Sequence, residues 1–175
     1  VVAAVLLIGS AQAFAQGERK DLQIFNDISD QVNRYTQFTI FDSISTTVDQ
    51  GRVELTGWVT MPYKRDDIER RVRRVEGVET LTNKIQVLPV SQFDDDLRFR
   101  IARAIYANSN FRSFATMVNP PIHVIVEHGR VTLEGVVNSQ VDRMLARSIA
   151  ANFLAFGVTN DLKTEAEVQA ELEKL

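Results

Sequence analysis

Residues 51–59 read GRVELTGWV, and residues 129–137 read GRVTLEGVV. The two segments share the pattern G-R-V-x-L-x-G-x-V at an offset of 78 positions. Apolar residues alternate with other residues along each segment, which is the pattern of a strand that buries one face. The repeat predicts that the chain contains two copies of one folding unit.

A second alternating run precedes each segment and predicts a β-hairpin. The runs cover residues 43–48 and 122–126, and three residues separate each run from the strand that follows. A link this short joins antiparallel neighbours. The glycine that ends each link, Gly51 or Gly129, supplies the turn.

The second glycine of each segment has a different expected role. Gly57 and Gly135 stand where a side chain would otherwise project onto the apolar face. A glycine inside a strand indicates close approach of another element. We therefore expect a larger side chain at either position to destabilise its unit.

Amphipathic helices are predicted on both sides of each hairpin. The preceding helices carry apolar residues at three- and four-residue spacing within 25–35 and 97–105. The following helix has an apolar stripe formed by Ile68, Val72 and Val75 in the first copy and, at an offset of 77, by Leu145, Ile149 and Asn152 in the second. This alignment assigns a one-residue deletion to the second copy ahead of that helix.

Short closing strands at 81–85 and 158–162 complete the two copies. The predicted fold is α+β, with two tandem αββαβ units. Each unit has a three-stranded sheet with both helices on one face, where they bury the apolar residues. The expected units are residues 21–90 and 93–164, followed by a C-terminal helix at 165–175.

The chain begins with the pattern of a secretory signal peptide. Residues 1–8 are apolar and uncharged, and two overlapping A-x-A motifs follow within 11–15. We expect a signal peptide over 1–15 and a mature chain that starts near Phe14 or Gln16. The Met and basic start of such leaders are missing, so we expect the natural chain to extend further.

The leader predicts export rather than membrane anchoring. A bilayer-spanning helix needs about 20 apolar residues, roughly twice the length of this run. The chain contains no cysteine, so the lipid anchor of a bacterial lipoprotein is not expected. The predicted location is the periplasm or the cell exterior.

Composition argues against several classes of function. The net charge is −3, whereas nucleic-acid binding draws most of its affinity from an excess of basic residues. Without cysteine there is no thiolate nucleophile, disulfide or Cys-ligated zinc, and only His123 and His128 titrate near neutrality. We expect a non-enzymatic protein with no catalytic residues, no metal, no cofactor and no nucleic-acid partner.

The element order and the duplicated G-x-V-x-L-x-G pattern resemble the BON domain, named for bacterial osmotically inducible and nodulation proteins. The resemblance covers 21–90 and 93–164. It implies a non-enzymatic periplasmic or envelope protein, with phospholipid binding as the usual activity and ties to envelope integrity and osmotic stress. The second copy departs from the pattern, because Leu154-Ala155 replaces the expected Gly77-Val78. The family has no universal ligand motif, so no binding residue carries over.

The leading candidate for membrane contact lies in the second copy. A helical wheel with Leu145 and Ile149 toward the sheet places a patch on the far side, which consists of Arg143, Arg147, Ala150 and Leu154, with Phe156 in the loop beyond. Exposed apolar residues flanked by arginines are typical of an interfacial membrane contact. The alternative, in which Leu154 and Phe156 pack against the other copy or the C-terminal helix, stays open.

Secondary candidates lie in the first copy, where residues 64–74 hold six bases and three acids. Pairs spaced four residues apart match Asp66 with Arg70, Asp67 with Arg71 and Glu69 with Arg73, which is the favourable order on a helix. The bases without such partners are Lys64, Arg65 and Arg74. They form either an anionic-headgroup patch or part of an ordinary solvated helix face.

Two functions therefore compete at this point. The first is an envelope module that binds an anionic phospholipid surface. The second is a protein-interaction or oligomerisation module in the periplasm that uses the open faces of the sheets. Its partner would be an envelope protein.

Overall fold

The computed structural model describes residues 9–172, with side chains from residue 20 onward. The first unit consists of α1 (Gly9–Asn33), β1 (Ser43–Asp49), β2 (Arg52–Val59), α2 (Pro62–Val72), β3 (Thr80–Asn83) and β4 (Gln86–Val87). The second consists of α3 (Gln92–Ala107), β5 (Ile122–Glu127), β6 (Arg130–Val137), α4 (Gln140–Ala151), β7 (Gly157–Asn160) and β8 (Lys163–Thr164), and α5 (Glu165–Leu172) follows. The predicted α+β fold of two αββαβ units is confirmed.

Each unit builds its sheet around the second strand of the hairpin. β1 pairs antiparallel with β2, and β5 pairs antiparallel with β6. The closing strands run parallel to β2 and β6, which is the geometry that a crossover helix produces. The strand orders are β1-β2-β3 and β5-β6-β7, so β1 and β5 are edge strands.

The closing strand of each unit is broken into two short pieces rather than continuous, so each sheet has four strands. In the first unit the side chain of Asn83 accepts a hydrogen bond from the Ile85 amide at 3.1 Å. This local turn interrupts the regular pairing, although the backbone still returns to β2 on both sides of it. The residue that the turn carries inward, Ile85, is buried in the core.

Both helices of each unit cover one face of its sheet and bury the apolar strand residues. The fully buried side chains of the first core include Ile28, Leu55, Val59, Ile68 and Val72. Those of the second include Ile101, Ile105, Val124, Leu133 and Leu162. Burying one such side chain contributes about 1.5–3 kcal/mol, so these two clusters hold the units together.

The register of α4 differs from the predicted one. Ala146 and Ala150 are fully buried, whereas Leu145 and Ile149 are only partly buried. The structural equivalents of Ile68 and Val72 are therefore Ala146 and Ala150, at the same offset of 78 as the hairpins. Ala150 lies in the core and not on the exposed side with the arginines, so that part of the sequence alignment is wrong.

The deletion lies after α4, not before it. The amide of Phe156 donates to the Gly129 carbonyl at 2.8 Å, and the amide of Glu79 donates to the Gly51 carbonyl at 2.9 Å. These matching bonds make Phe156 the equivalent of Glu79, at an offset of 77. The first unit thus has one extra residue in the loop between its second helix and its closing strand.

The predicted leader lies mainly outside the described residues. Residues 1–8 are not described, and the backbone from Gly9 onward forms the start of α1. Over residues 9–172, none of the helices has both the length and the apolar character that crossing a membrane requires. The signal peptide stays a prediction.

Candidate functional site

Each hairpin ends in a tight turn that a helix carboxylate holds in place. The turn residues Gln50-Gly51 and His128-Gly129 all have positive φ, as a two-residue type I′ turn requires. The carboxylate of Asp94, near the start of α3, accepts from the amides of His128 at 3.0 Å and Gly129 at 2.7 Å. The first unit repeats the arrangement with Asp21.

These turns bring three chain segments together at one end of each unit. In the second unit they are the start of α3, the β5–β6 turn and the loop before β7. The ring of Phe156 and the ring of Phe93 both lie against Gly129, where an added Cβ atom would come within 2.7 Å of the first and 3.3 Å of the second. Leu154 stands two residues before Phe156.

Three large apolar side chains are exposed at this end of the second unit. The relative exposure is 89% for Leu154, 79% for Phe156 and 55% for Phe93. We call these three residues the apolar hairpin end. Clusters of exposed large apolar side chains are a feature of surfaces that contact membranes or other proteins.

The equivalent end of the first unit is polar. Glu79 takes the place of Phe156, Gly77 that of Leu154, and Lys20 precedes the turn-binding Asp21 as Phe93 precedes Asp94. The two copies share their backbone bonds at this end but differ in its chemistry. The shared backbone bonds therefore do not require the apolar residues of the second unit.

The two hairpin ends also differ in the ion pairs that their arginines form. In the first unit Arg52 is ion-paired with Asp49. In the second, the equivalent Arg130 lies beside Gly157 and makes no ion pair with any described residue. Two acids near Phe93 on α3 do form ion pairs, Asp95 with Arg98 and Asp96 with Arg100.

The structure divides the four residues of the predicted membrane patch. Leu154 and Phe156 are exposed together at the apolar hairpin end. Arg143 lies near the other end of α4, and its guanidinium pairs with Glu167 of α5 at 3.1 Å. Because a helix rises roughly 1.5 Å per residue, Arg143 is about 12 Å from the end of α4 nearest Leu154. Arg147 is exposed midway and forms no ion pair within 9–172.

Lys64 has no acidic partner at four-residue spacing, but it pairs with an acid outside its helix, so its interpretation as a free headgroup-binding base is wrong. Its ammonium group is buried and lies 2.6 Å from a carboxylate oxygen of Asp42, a residue 22 positions earlier. Lys64 therefore cannot reach a lipid headgroup. Arg65 lies 3.3 Å from Asp66 at the surface, and Arg74 is exposed without an ion pair among the described residues.

The acids of α2 are also used differently from the predicted pairs. Glu69 does pair with Arg73. Asp67 instead pairs with Arg70 and accepts a hydrogen bond from the Tyr35 hydroxyl at 2.7 Å. That hydroxyl holds the pKa of the Asp67 carboxyl below its usual range. This helix face is an ion-paired, solvated surface.

Sequence reasoning missed Phe93 and Arg130. Phe93 continues the four-residue spacing of Leu97, Ile101 and Ile105, which predicts burial, so the sequence gives no signal that it is exposed. Arg130 belongs to the repeated pattern itself, so only the missing ion pair in the second copy distinguishes it.

The two units meet at a junction formed by residues 38–42. The Val124 amide, on the outer edge of β5, donates to the Ile40 carbonyl at 2.8 Å. His123 Nδ1 donates to the Asp42 carbonyl at 2.6 Å. Burial lowers the pKa of the His123 imidazole, which is consistent with a neutral ring at this contact. Phe41 packs edge-on against Phe99, with ring centroids 4.7 Å apart.

The residues and elements described above match a known family model twice, over residues 21–89 and 93–166, and the model is described as the BON domain. The chain belongs to the BON domain family. BON domains are associated with phospholipid binding and envelope stress, and the family is in general non-catalytic. Within the described residues, no three potential ligands among His, Asp and Glu cluster to hold a metal ion.

Two solved structures are similar to this BON protein. The first is CdsD, a structural protein of the type III secretion system of Chlamydia trachomatis, with 12% identity, 86% of this chain and 97% of that chain covered, and a TM-score of 0.30. The second is the C-terminal domain of the same protein, with 12% identity, 79% and 96% covered, and a TM-score of 0.30. Comparison with curated proteins finds no match.

Proposed function

We propose that this BON protein is a non-enzymatic component of the cell envelope that binds anionic phospholipid surfaces and supports envelope integrity or the response to osmotic stress. The observation that carries the proposal is the apolar hairpin end, where the second domain exposes Phe93, Leu154 and Phe156 and the first domain has polar residues. The site is therefore assigned to the second domain.

The chemistry of the apolar hairpin end suits the interface of a bilayer. Fully burying a Leu or Phe side chain is worth about 1.5–3 kcal/mol, and this term does not depend on salt. Arg130, beside the same loop, and Arg147, on α4, supply positive charge that attracts anionic headgroups. A base near such a surface contributes about 1 kcal/mol, and salt screens that attraction.

Replacing Leu154 and Phe156 with serine together is expected to weaken binding to anionic liposomes at least about tenfold, which corresponds to a loss of 1.4 kcal/mol. The loss should persist at high salt, because the apolar contribution remains when charges are screened. Co-sedimentation with liposomes that contain or lack anionic lipid measures the effect.

Three control variants make this experiment specific. Replacing Met61 and Tyr63 with serine removes two exposed large side chains from the first domain, and Arg65→Gln with Arg74→Gln removes the two secondary candidates that lie at its surface. Neither change should alter binding. Glu79→Phe places an aromatic ring at the equivalent position of the first domain and should increase it. If the Met61/Tyr63 or the Arg65/Arg74 variant weakened binding more than the Leu154/Phe156 variant does, the site would lie in the first domain.

Export is part of the same proposal. The chain should lose its leader, and mass spectrometry of the envelope fraction should find a mature start near Phe14 or Gln16. Retention of residues 1–8 in the recovered protein, or its recovery from the cytosol, would contradict this assignment.

A second candidate function is protein interaction or oligomerisation in the periplasm. It is favoured by the edge strand β1, whose outer side forms part of a groove between the two domains. Unmutated protein that does not bind liposomes would favour this candidate.

A further inference from the structure

The first domain covers the sheet edge of the second. The turn at residues 39–42 lies against β5, where the Ile40 carbonyl accepts from the Val124 amide and the Asp42 carbonyl accepts from His123. Ile40 and Phe41 pack on the core of the second domain. An edge strand with unpaired backbone groups is a template for unwanted pairing, and this turn blocks it.

The offset of 78 holds at the start of each hairpin, since an added Cβ at Gly57 would strike the Ser43 carbonyl oxygen and one at Gly135 would strike the Pro121 carbonyl oxygen. Counted back from there, residues 117–120 take the positions of residues 39–42, and we call them the turn at residues 117–120. They form a bend in a longer loop, and the Asn119 side chain donates to the Asn33 carbonyl of α1 at 2.6 Å. Val118 therefore corresponds to Ile40. Val118 is 97% exposed and Met117 is 49% exposed, although neither belongs to the apolar hairpin end.

The first domain has the matching edge. Thr46 faces Leu55 in the hairpin as Val124 faces Leu133 in the second domain. Because outward and inward amides alternate along an antiparallel strand, the Thr46 amide points away from β2, as the Val124 amide points away from β6. Within residues 9–172, no backbone bond from outside the sheet reaches Thr46.

A groove of about 760 Å³ runs along this edge. One wall includes Phe25 and Val32 of α1, and the opposite wall includes Val136 of β6 and Val168 and Leu172 of α5. The groove thus offers an outward backbone donor flanked by apolar side chains. These are the features that the turn at 39–42 uses on β5.

We infer that a second copy of this chain docks its turn at residues 117–120 on the β1 edge, with the Val118 carbonyl accepting from the Thr46 amide and Val118 and Met117 entering the groove. The contact repeats between molecules the one that joins the two domains within a molecule. The surfaces on the two partners differ, so the association is head-to-tail and leaves a free turn and a free edge at its ends.

Self-association should be concentration-dependent. Within the chain, the short linker raises the effective concentration of the turn at 39–42 to the millimolar range, an advantage that a separate copy lacks. Sedimentation of the protein recovered from cells, without lipid, should therefore show a mass that rises with concentration. This measurement is independent of the liposome experiment, so either result can fail alone.

Two variants test the two sides of the contact. Val118→Asp places a charge on the turn and is expected to raise the dissociation constant at least about tenfold, and Thr46→Pro, which removes the outward donor at an edge position that tolerates proline, is expected to do the same. Val90→Asp is the matched control, because Val90 is fully exposed on the linker and should leave association unchanged. Should Thr46→Pro fail to fold, Val168→Asp replaces it, since α5 contributes no buried residue.

Mixing the two variants gives the decisive result. The Val118→Asp protein keeps its β1 edge and the Thr46→Pro protein keeps its turn, so the mixture should form one-to-one dimers and nothing larger. Association that is lost in Thr46→Pro but unchanged in Val118→Asp would indicate pairing of two β1 edges instead and would overturn the inference. A mass that stays monomeric at every concentration would also overturn it.

Discussion

Replacing Gly57 or Gly135 with valine is expected to lower the free energy of unfolding of its own domain by roughly 2–6 kcal/mol, the sum of about 1–3 for backbone strain and about 1–3 for overpacking. Both glycines have φ near +115°, at +117° and +115°. A Cβ atom would lie 2.1 Å from the Ser43 carbonyl oxygen in one domain and 1.9 Å from the Pro121 carbonyl oxygen in the other. Denaturant unfolding measures the loss.

Gly157→Ala is the matched control. Gly157 does not have positive φ, and its added Cβ would meet only a guanidinium nitrogen of Arg130, at the ordinary distance of 3.6 Å. This variant should unfold as the unmutated protein does. Valine at both 57 and 135 with no change in stability would show that the close approach is not needed for folding.

Replacing Asp42 with alanine is expected to destabilise the first domain by about 3–5 kcal/mol, because it leaves a buried cation without its partner. Asp42 is fully buried, and its carboxylate accepts from the amide and hydroxyl of Thr39, the amide and hydroxyl of Thr60 and the ammonium of Lys64. Each of these bonds is between 2.6 and 2.9 Å long. Denaturant unfolding again measures the effect.

The double variant Asp42→Ala with Lys64→Met separates the charge from the rest of this network. Removing both charges should recover part of the stability that Asp42→Ala loses. Arg65→Gln, one residue from Lys64 but in an exposed pair, should change stability by less than about 1 kcal/mol. Equal losses in the single and double variants would mean that the buried cation is not the cause.

The repeat made the fold predictable from sequence, because hairpin strands, glycine positions and helix stripes recur in both copies. The register of α4 was not predictable in the same way. Leu145 and Ile149 are larger than Ala146 and Ala150, and a stripe chosen by hydrophobicity selects the larger pair. Which pair faces the sheet depends on the space that α3 leaves, and that is a tertiary property.

Only the residues of the candidate site that lie close together in sequence could be predicted. Leu154 replaces the expected glycine and Phe156 follows two residues later, so the sequence alone marks this segment. Phe93 joins them through the contact of Asp94 with a turn more than 30 residues later. The burial of Lys64 likewise depends on Asp42, and spacing along one helix carries no information on such a partner.

The turn at residues 39–42 makes the two halves of this duplicated chain unequal. The first domain, separated from the second, would lose no backbone hydrogen bond at its β1 edge among the described residues, although that edge lines the groove between the domains. The second domain, separated from the first, would lose the cover of β5 and present an open edge beside an apolar surface. The first domain therefore covers the edge at which the second domain would otherwise be prone to aggregate.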